Sequence, residues 1–184
     1  MLDETAAQLT AFTQRYCQHW QTTHHSAPHN TQLLGIDSPC LLATHEDSIS
    51  WQPQPFTLPK NLDAVSTGVD LVIQPSVVTF YTTQFAAEMS ATFAGKPVTL
   101  LQVWNEEDFT LLQQNLLGHL VMKRRLKHSP TLFIATTDDD STIVSVDNLT
   151  GEVVLEQLGK RDSRVLASTL GHFLEQLHPF VENS

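Results

Sequence analysis

A chain of 184 residues with 41% hydrophobic residues can form one domain with its own core, and it is too apolar to be disordered. Its formal net charge is -10, and before Lys123 the only basic residues are Arg15, Lys60 and Lys96, against carboxylates spread from Asp3 to Asp108. Such a surface repels phosphate backbones and anionic headgroups, which argues against nucleic acid and direct membrane binding, and it attracts a basic partner.

Residues 3–25 read as the first helix, with Leu9, Phe12, Tyr16 and Trp20 on one face and Cys17 beside them. Residues 40–43 and 48–51 read as strands around a His45-Glu46-Asp47 turn. The two prolines of Gln52-Pro53-Gln54-Pro55-Phe56 exclude helix and central strand, which predicts a rigid extended surface segment. Trp51 and Phe56 flank it, so one of them is expected to be exposed, as an aromatic beside carboxylates in a protein-binding groove would be. Residues 61–67 suit a short helix ending at Gly68. Residues 76–93 are rich in Val, Thr, Phe and Tyr and read as strand, joined by an Ala94-Gly95-Lys96-Pro97 turn to a strand over 98–104.

That hairpin feeds the clearest element, a helix within 104–127. Asn105 is a good N-cap, with Asp108 three residues on. Glu106, Glu107 and Asp108 sit at the helix's positive end, and Lys123, Arg124, Arg125 and Lys127 at its negative end. Phe109, Leu112, Leu116 and Leu120 form one apolar stripe, while Leu111, Gly118 and Met122 on the other side predict a second packed face or a face offered to a partner. Strands follow over 131–136, 142–146 and 152–156, separated by an Asp138-Asp139-Asp140 tip and an Asn148-Leu149-Thr150-Gly151 turn. Residues 163–177 read as the last helix, with Val165, Leu166, Thr169, Leu170, Phe173 and Leu177 facing inward. The order predicts a single α+β domain over 1–184: a largely antiparallel sheet packed with a central helix and N- and C-terminal helices.

Chemistry-bearing patterns are sparse. His24, His25 and His29 lack the unbroken helical turn and Glu of a zinc motif and read as a polar helix end; His119 and His172 read as structural. The Asp138–140 tip lacks the closing Glu of a calcium loop. Cys17 and Cys40 show neither metal spacing nor a disulfide framework. With no phosphate loop and no nucleophile elbow, no metal, cofactor or catalytic residue is expected. The N-terminus lacks a signal pattern and no run reaches the ~18 apolar residues of a membrane span, so the expectation is a cytoplasmic protein with reduced thiols. In that compartment the Asn148-Leu149-Thr150 sequon goes unused.

Several stretches carry a resemblance: RYCQHW (15–20), SPC (38–40), WQPQPFT (51–57), FYTTQFA (80–86), LLQVW (100–104), NLLGHL (115–120), PTLFIAT (130–136) and NLTGEV (148–153). Taken in order over nearly the whole chain, they closely resemble Syd, the bacterial SecY-interacting family. The resemblance implies a SUKH-like fold and a non-catalytic protein on the cytoplasmic side of the inner membrane. Such a protein is held there peripherally through SecY, the protein-conducting channel, and sequesters uncomplexed channel or restrains the translocase. SUKH proteins also include toxin-neutralising immunity proteins, which makes binding of a soluble toxin the alternative. Cytoplasmic loops of membrane proteins carry excess Lys and Arg, so an acidic concave surface is their complement. The positions the resemblance implies for it are Glu46 and Asp47, Asp70, Glu88, and Glu106, Glu107 and Asp108, with Trp51 and Phe56 as aromatic contacts. For the last three acids, helix capping is the competing account.

Overall fold

The computed structural model describes residues 4–182. Asp3, the expected start of the first helix, lies outside them. Helix α1 (Glu4–His24) buries Leu9, Phe12 and Tyr16, the positions its spacing picks out. A small sheet follows from β1 (His29–Asn30), β2 (Leu41–Thr44) and β3 (Ile49–Trp51), with β3 in the middle. The proline segment runs through β4 (Gln54–Pro55) to helix α2 (Asp63–Val69), which ends on a left-handed Asp70. Next come helix α3 (Pro75–Thr82), β5 (Gln84–Phe85), β6 (Met89–Phe93), β7 (Lys96–Leu100) and helix α4 (Glu106–Arg125). The chain closes with β8 (Thr131–Thr137), β9 (Thr142–Asp147), β10 (Val153–Gln157), β11 (Ser163–Ala167), helix α5 (Leu170–Glu175) and β12 (His178–Pro179).

The expected α+β architecture is present. β6 to β11 form an antiparallel meander in chain order, and β12 adds beside β6 to make a seven-stranded sheet. The hairpins are locally encoded. Ala94 and Gly95, with φ of 51° and 80°, supply the two left-handed residues of a type I′ turn between β6 and β7. Helix α1 packs against α5, and the Arg15 guanidinium donates to the carbonyls of Leu174 and Leu177 at the end of α5, at 3.3 and 3.1 Å.

Two segments differ from their sequence reading. Residues 76–82, read as the start of a strand over 76–93, belong to helix α3. Pro75 occupies the first turn, where its missing N–H costs nothing, and Val77, Phe80 and Tyr81 then fall on one buried face. Thr82 and Thr83 donate their hydroxyls to the carbonyls of Val78 and Thr79, which satisfies β-branched polar side chains inside a helix. The buried Tyr81 hydroxyl donates to the Phe133 carbonyl at 2.7 Å and ties α3 to the sheet.

Residues 163–167, read as the start of the last helix, are the edge strand β11. Gly159, with φ of 80°, turns the chain back along β10, and Val165, expected inside, is 52% exposed. The helix begins only at its true N-cap, Thr169, whose hydroxyl accepts from the His172 N–H at 3.1 Å.

Between α4 and the sheet lies a buried polar network. The Lys123 ammonium donates to the Glu156 carboxylate, Thr131 donates to the other Glu156 oxygen at 2.6 Å, and the His119 ring meets the Thr131 hydroxyl at 2.9 Å. Lys123, read as a cation at the negative end of the helix, is a core residue, 7% exposed. Burial depresses the His119 pKa, and Lys123 adds to that effect against the opposing pull of Glu156.

Candidate functional site

The N-terminus of α4 organises the acidic surface. Asn105 caps the helix by accepting from the Asp108 N–H at 2.8 Å, and Asp108 reaches back to accept from the Trp104 N–H at 2.7 Å. The capping account of Asp108 is therefore met directly. Glu106 and Glu107 make no such bond and stand exposed.

A loop from far upstream is clamped onto this helix end. The Trp104 indole donates to the Ile36 carbonyl at 3.0 Å, Ser38 donates to the Trp104 carbonyl at 2.6 Å, and the Asn105 amide donates to the Asp37 carbonyl at 2.8 Å. These bonds bring Asp37 beside Glu106 and Glu107 around a depression of about 760 Å³. Ile36, Pro39, Leu58 and Phe85 line it, so the rim is acidic and the walls largely apolar. Asp37 was missing from the sequence-derived site. Its signal was its place one residue before the Ser38-Pro39-Cys40 motif.

The other candidates separate into groups. Glu88 lies near Asp108. The protein around its carboxyl strips away enough water to raise its pKa, and the Asp108 charge raises it further. Glu88 also borders a second cleft of about 820 Å³, with Tyr16, Trp20, His24, Phe180 and Glu182. Glu46 and Asp47 project from the β2–β3 turn. Asp47 faces His29, whose ring stacks between Trp20 and His45 at 5.8 and 4.9 Å. Burial lowers the His29 pKa, the charges of His45 and His24 lower it further, and Asp47 opposes them. Asp70 stands apart, at the end of α2. There the Arg124 guanidinium donates to the Val69 carbonyl, roughly 27 Å along α4 from Glu106 at 1.5 Å per residue. Among the described residues none of these carboxylates forms an ion pair.

Neither aromatic is exposed, which corrects the expectation for Trp51 and Phe56. Trp51 is 1% exposed in the core, stacked on Tyr16 and edge-on to Trp104. Phe56 is 5% exposed, wedged against Phe85 and Phe109 at 4.9 and 5.0 Å. The proline segment is extended as read, but β4 pairs with β5 beside Phe56, and Trp51 belongs to β3, the middle strand of the small sheet. They support the α4 end from beneath.

Other polar clusters serve the fold. The Asp139 carboxylate accepts from the Ser141 N–H and hydroxyl, both at 2.9 Å, and holds its own hairpin tip. Asn148 is a clamp: its amide donates to the Val72 carbonyl and its oxygen accepts from the Gln74 N–H, both at 2.9 Å. Among the described residues, no three His, Cys, Asp or Glu side chains gather as a metal site would require, and no helix is long and apolar enough to cross a membrane.

The family model described as Syd protein (SUKH-2) matches residues 6–179. The chain belongs to the Syd family. A Protein Syd of Erwinia tasmaniensis is 54% identical over 183 residues, covering 100% of this chain and 98% of that protein. Protein Syd of Escherichia fergusonii is 51% identical, covering 98% of this chain and 100% of that protein, and Protein Syd of Enterobacter sp. (strain 638) is 52% identical, covering 97% and 98%. This Syd-family chain thus matches its relatives essentially end to end, and the clamp between residues 36–38 and 104–105 lies wholly inside the matched region.

Proposed function

We propose that this Syd-family protein is a non-catalytic binding protein for the Lys/Arg-rich cytoplasmic loops of SecY. In this reading it sits peripherally on the cytoplasmic side of the inner membrane, touches the membrane only through the channel, and sequesters or restrains uncomplexed channel. It takes no metal, cofactor or nucleic acid. The observation that carries the reading is the set of carboxylates Asp37, Glu106 and Glu107, without ion pairs among the described residues, around an apolar-walled depression, with Asp108 and Glu88 nearby. A basic loop laid there gains distributed attraction from the rim and apolar contact from the walls.

Binding to SecY-containing membranes and to membranes stripped of SecY, at low and high salt, tests this. Wild type should require SecY and weaken with salt. Three exposed pairs at ~0.2–1 kcal/mol each make the D37K/E106K/E107K variant about 3- to 150-fold weaker, with a shallower salt slope. Unchanged affinity in a folded triple variant overturns the reading. The SUKH-2 description of the family model supports a second reading, capture of a soluble toxin; that protein would bind neither membrane.

A further inference from the structure

The meander leaves one long edge of the main sheet open. Strand β11 pairs with β10 on one side, and among the described residues no other backbone group bonds to its outer side. In an antiparallel ladder every second residue turns its N–H and C=O away from the strand it is paired with, so β11 presents a row of outward donors and acceptors. Ser163, Arg164 and Val165 are all exposed.

Behind this edge the curled sheet opens into a mouth of about 410 Å³, walled by Phe93, Val98, Val144, Leu155 and Leu166 from five strands. Phe173 of α5 stacks on Phe93 at 4.9 Å. The charge at the edge runs against that of the whole chain. Lys160 and Arg161 occupy the β10–β11 turn and Arg164 the strand itself. All three are exposed, and only Asp162 interrupts them. Among the described residues none of the three cations forms an ion pair. Asp138 and Asp139 line the mouth at the β8–β9 tip, so the carboxylates of a bound segment belong on the Lys160–Arg164 side and only an apolar side chain enters the mouth.

We propose that β11 is a docking edge for an extended acidic peptide segment of another protein. The segment adds as a further strand, sets its carboxylates against Lys160, Arg161 and Arg164, and places a bulky apolar side chain in the mouth. The β-bulge at Val153/Val154 and the charged Arg164 guard the edge against uncharged strands, so the same features that block aggregation select an acidic one. The site lies at the opposite strand ends from the acidic rim: Lys96 at the start of β7 lines the mouth, and the chain leaves the other end of β7 at Leu100 toward Glu106 and Glu107. A segment here therefore binds alongside a basic partner rather than competing with it.

The test uses a fluorescein-labelled peptide of alternating Glu and Val with one central Leu, long enough to cover Ser163–Ala167, read by polarisation and by backbone NMR of the full chain. The acidic peptide should bind, shift the amides of β11 and slow their exchange. Its Lys-for-Glu counterpart should not bind. A version with Pro at alternate positions should bind about tenfold or more weakly, because it cannot complete the ladder. The exposed reversal K160E/R161E/R164E should exchange the preference. Absence of binding by the acidic peptide, equal binding of the proline version, or shifts confined to other strands would overturn the proposal.

Discussion

Replacing Lys123 by Met isolates the contribution of the buried pair between α4 and the sheet. Lys123 and Glu156 have side chains 8% and 2% exposed, so the substitution leaves a carboxylate in the core with the Thr131 hydroxyl as its remaining close donor. Breaking such a pair costs about 3–5 kcal/mol, a large part of a domain's ~5–15 kcal/mol. At ~2–4 °C per kcal/mol for a chain of this size, the melting temperature should fall by roughly 6–20 °C. Urea unfolding gives the free energy, and the variants E156L and K123M/E156L complete the cycle. Removing both charges should restore most of the loss, because the penalty comes from the orphaned charge rather than from the missing bond. NMR titration of His119 adds an independent reading. With the Lys123 charge gone and Glu156 still present, its pKa should rise. A K123M protein that loses less than about 1 kcal/mol, or a double variant no more stable than the single, would refute the argument.

The same network fixes the acid response. His119 has a depressed pKa, so below about 6.5 the unfolded chain takes up a proton that the folded chain refuses, and stability falls with pH. For Glu156, burial raises the pKa but the bonds from Lys123 and Thr131, with the Lys123 charge, outweigh it and lower it. Its contribution is full above the ordinary Glu value near 4.3 and is lost as pH falls through the lower folded value. Urea midpoints should therefore drop in two stages on acidification, and H119Q should flatten the first. Asn148→Ala strands the Gln74 N–H and should cost about 1–3 kcal/mol, with faster hydrogen exchange at Gln74. Asn105→Ala should cost ~1 kcal/mol by calorimetry through loss of the cap. Cys40, fully buried with its thiol pushed up to about 11, should resist alkylation at neutral pH until the protein is unfolded.

What the sequence determined by itself is what neighbouring residues decide. Asn105 and Asp108 close the start of α4, Ala94-Gly95 turns β6 into β7, and alternation with turn residues sets the meander from β8 to β10. The stripe of Leu9, Phe12 and Tyr16 likewise marks the buried face of α1. The tertiary structure decided the rest, because each remaining choice depended on a partner distant in the chain. Val77, Phe80 and Tyr81 fit a strand or a helix equally by composition; the Phe133 carbonyl and the surrounding core select the helix. Residues 163–167 fit a helical stripe, yet pairing with β10 makes them a strand. Lys123 looks like a helix-end cation until Glu156 meets it from the facing strand β10. Net charge announced an acidic protein, but only the clamp of the Ile36 and Asp37 carbonyls onto Trp104 and Asn105 gathers Asp37, Glu106 and Glu107 on one rim and leaves Asp70 elsewhere. Local hydrogen bonds and turn conformations are written in adjacent residues; the identity of a side chain's neighbour across the core is written only in the packed fold.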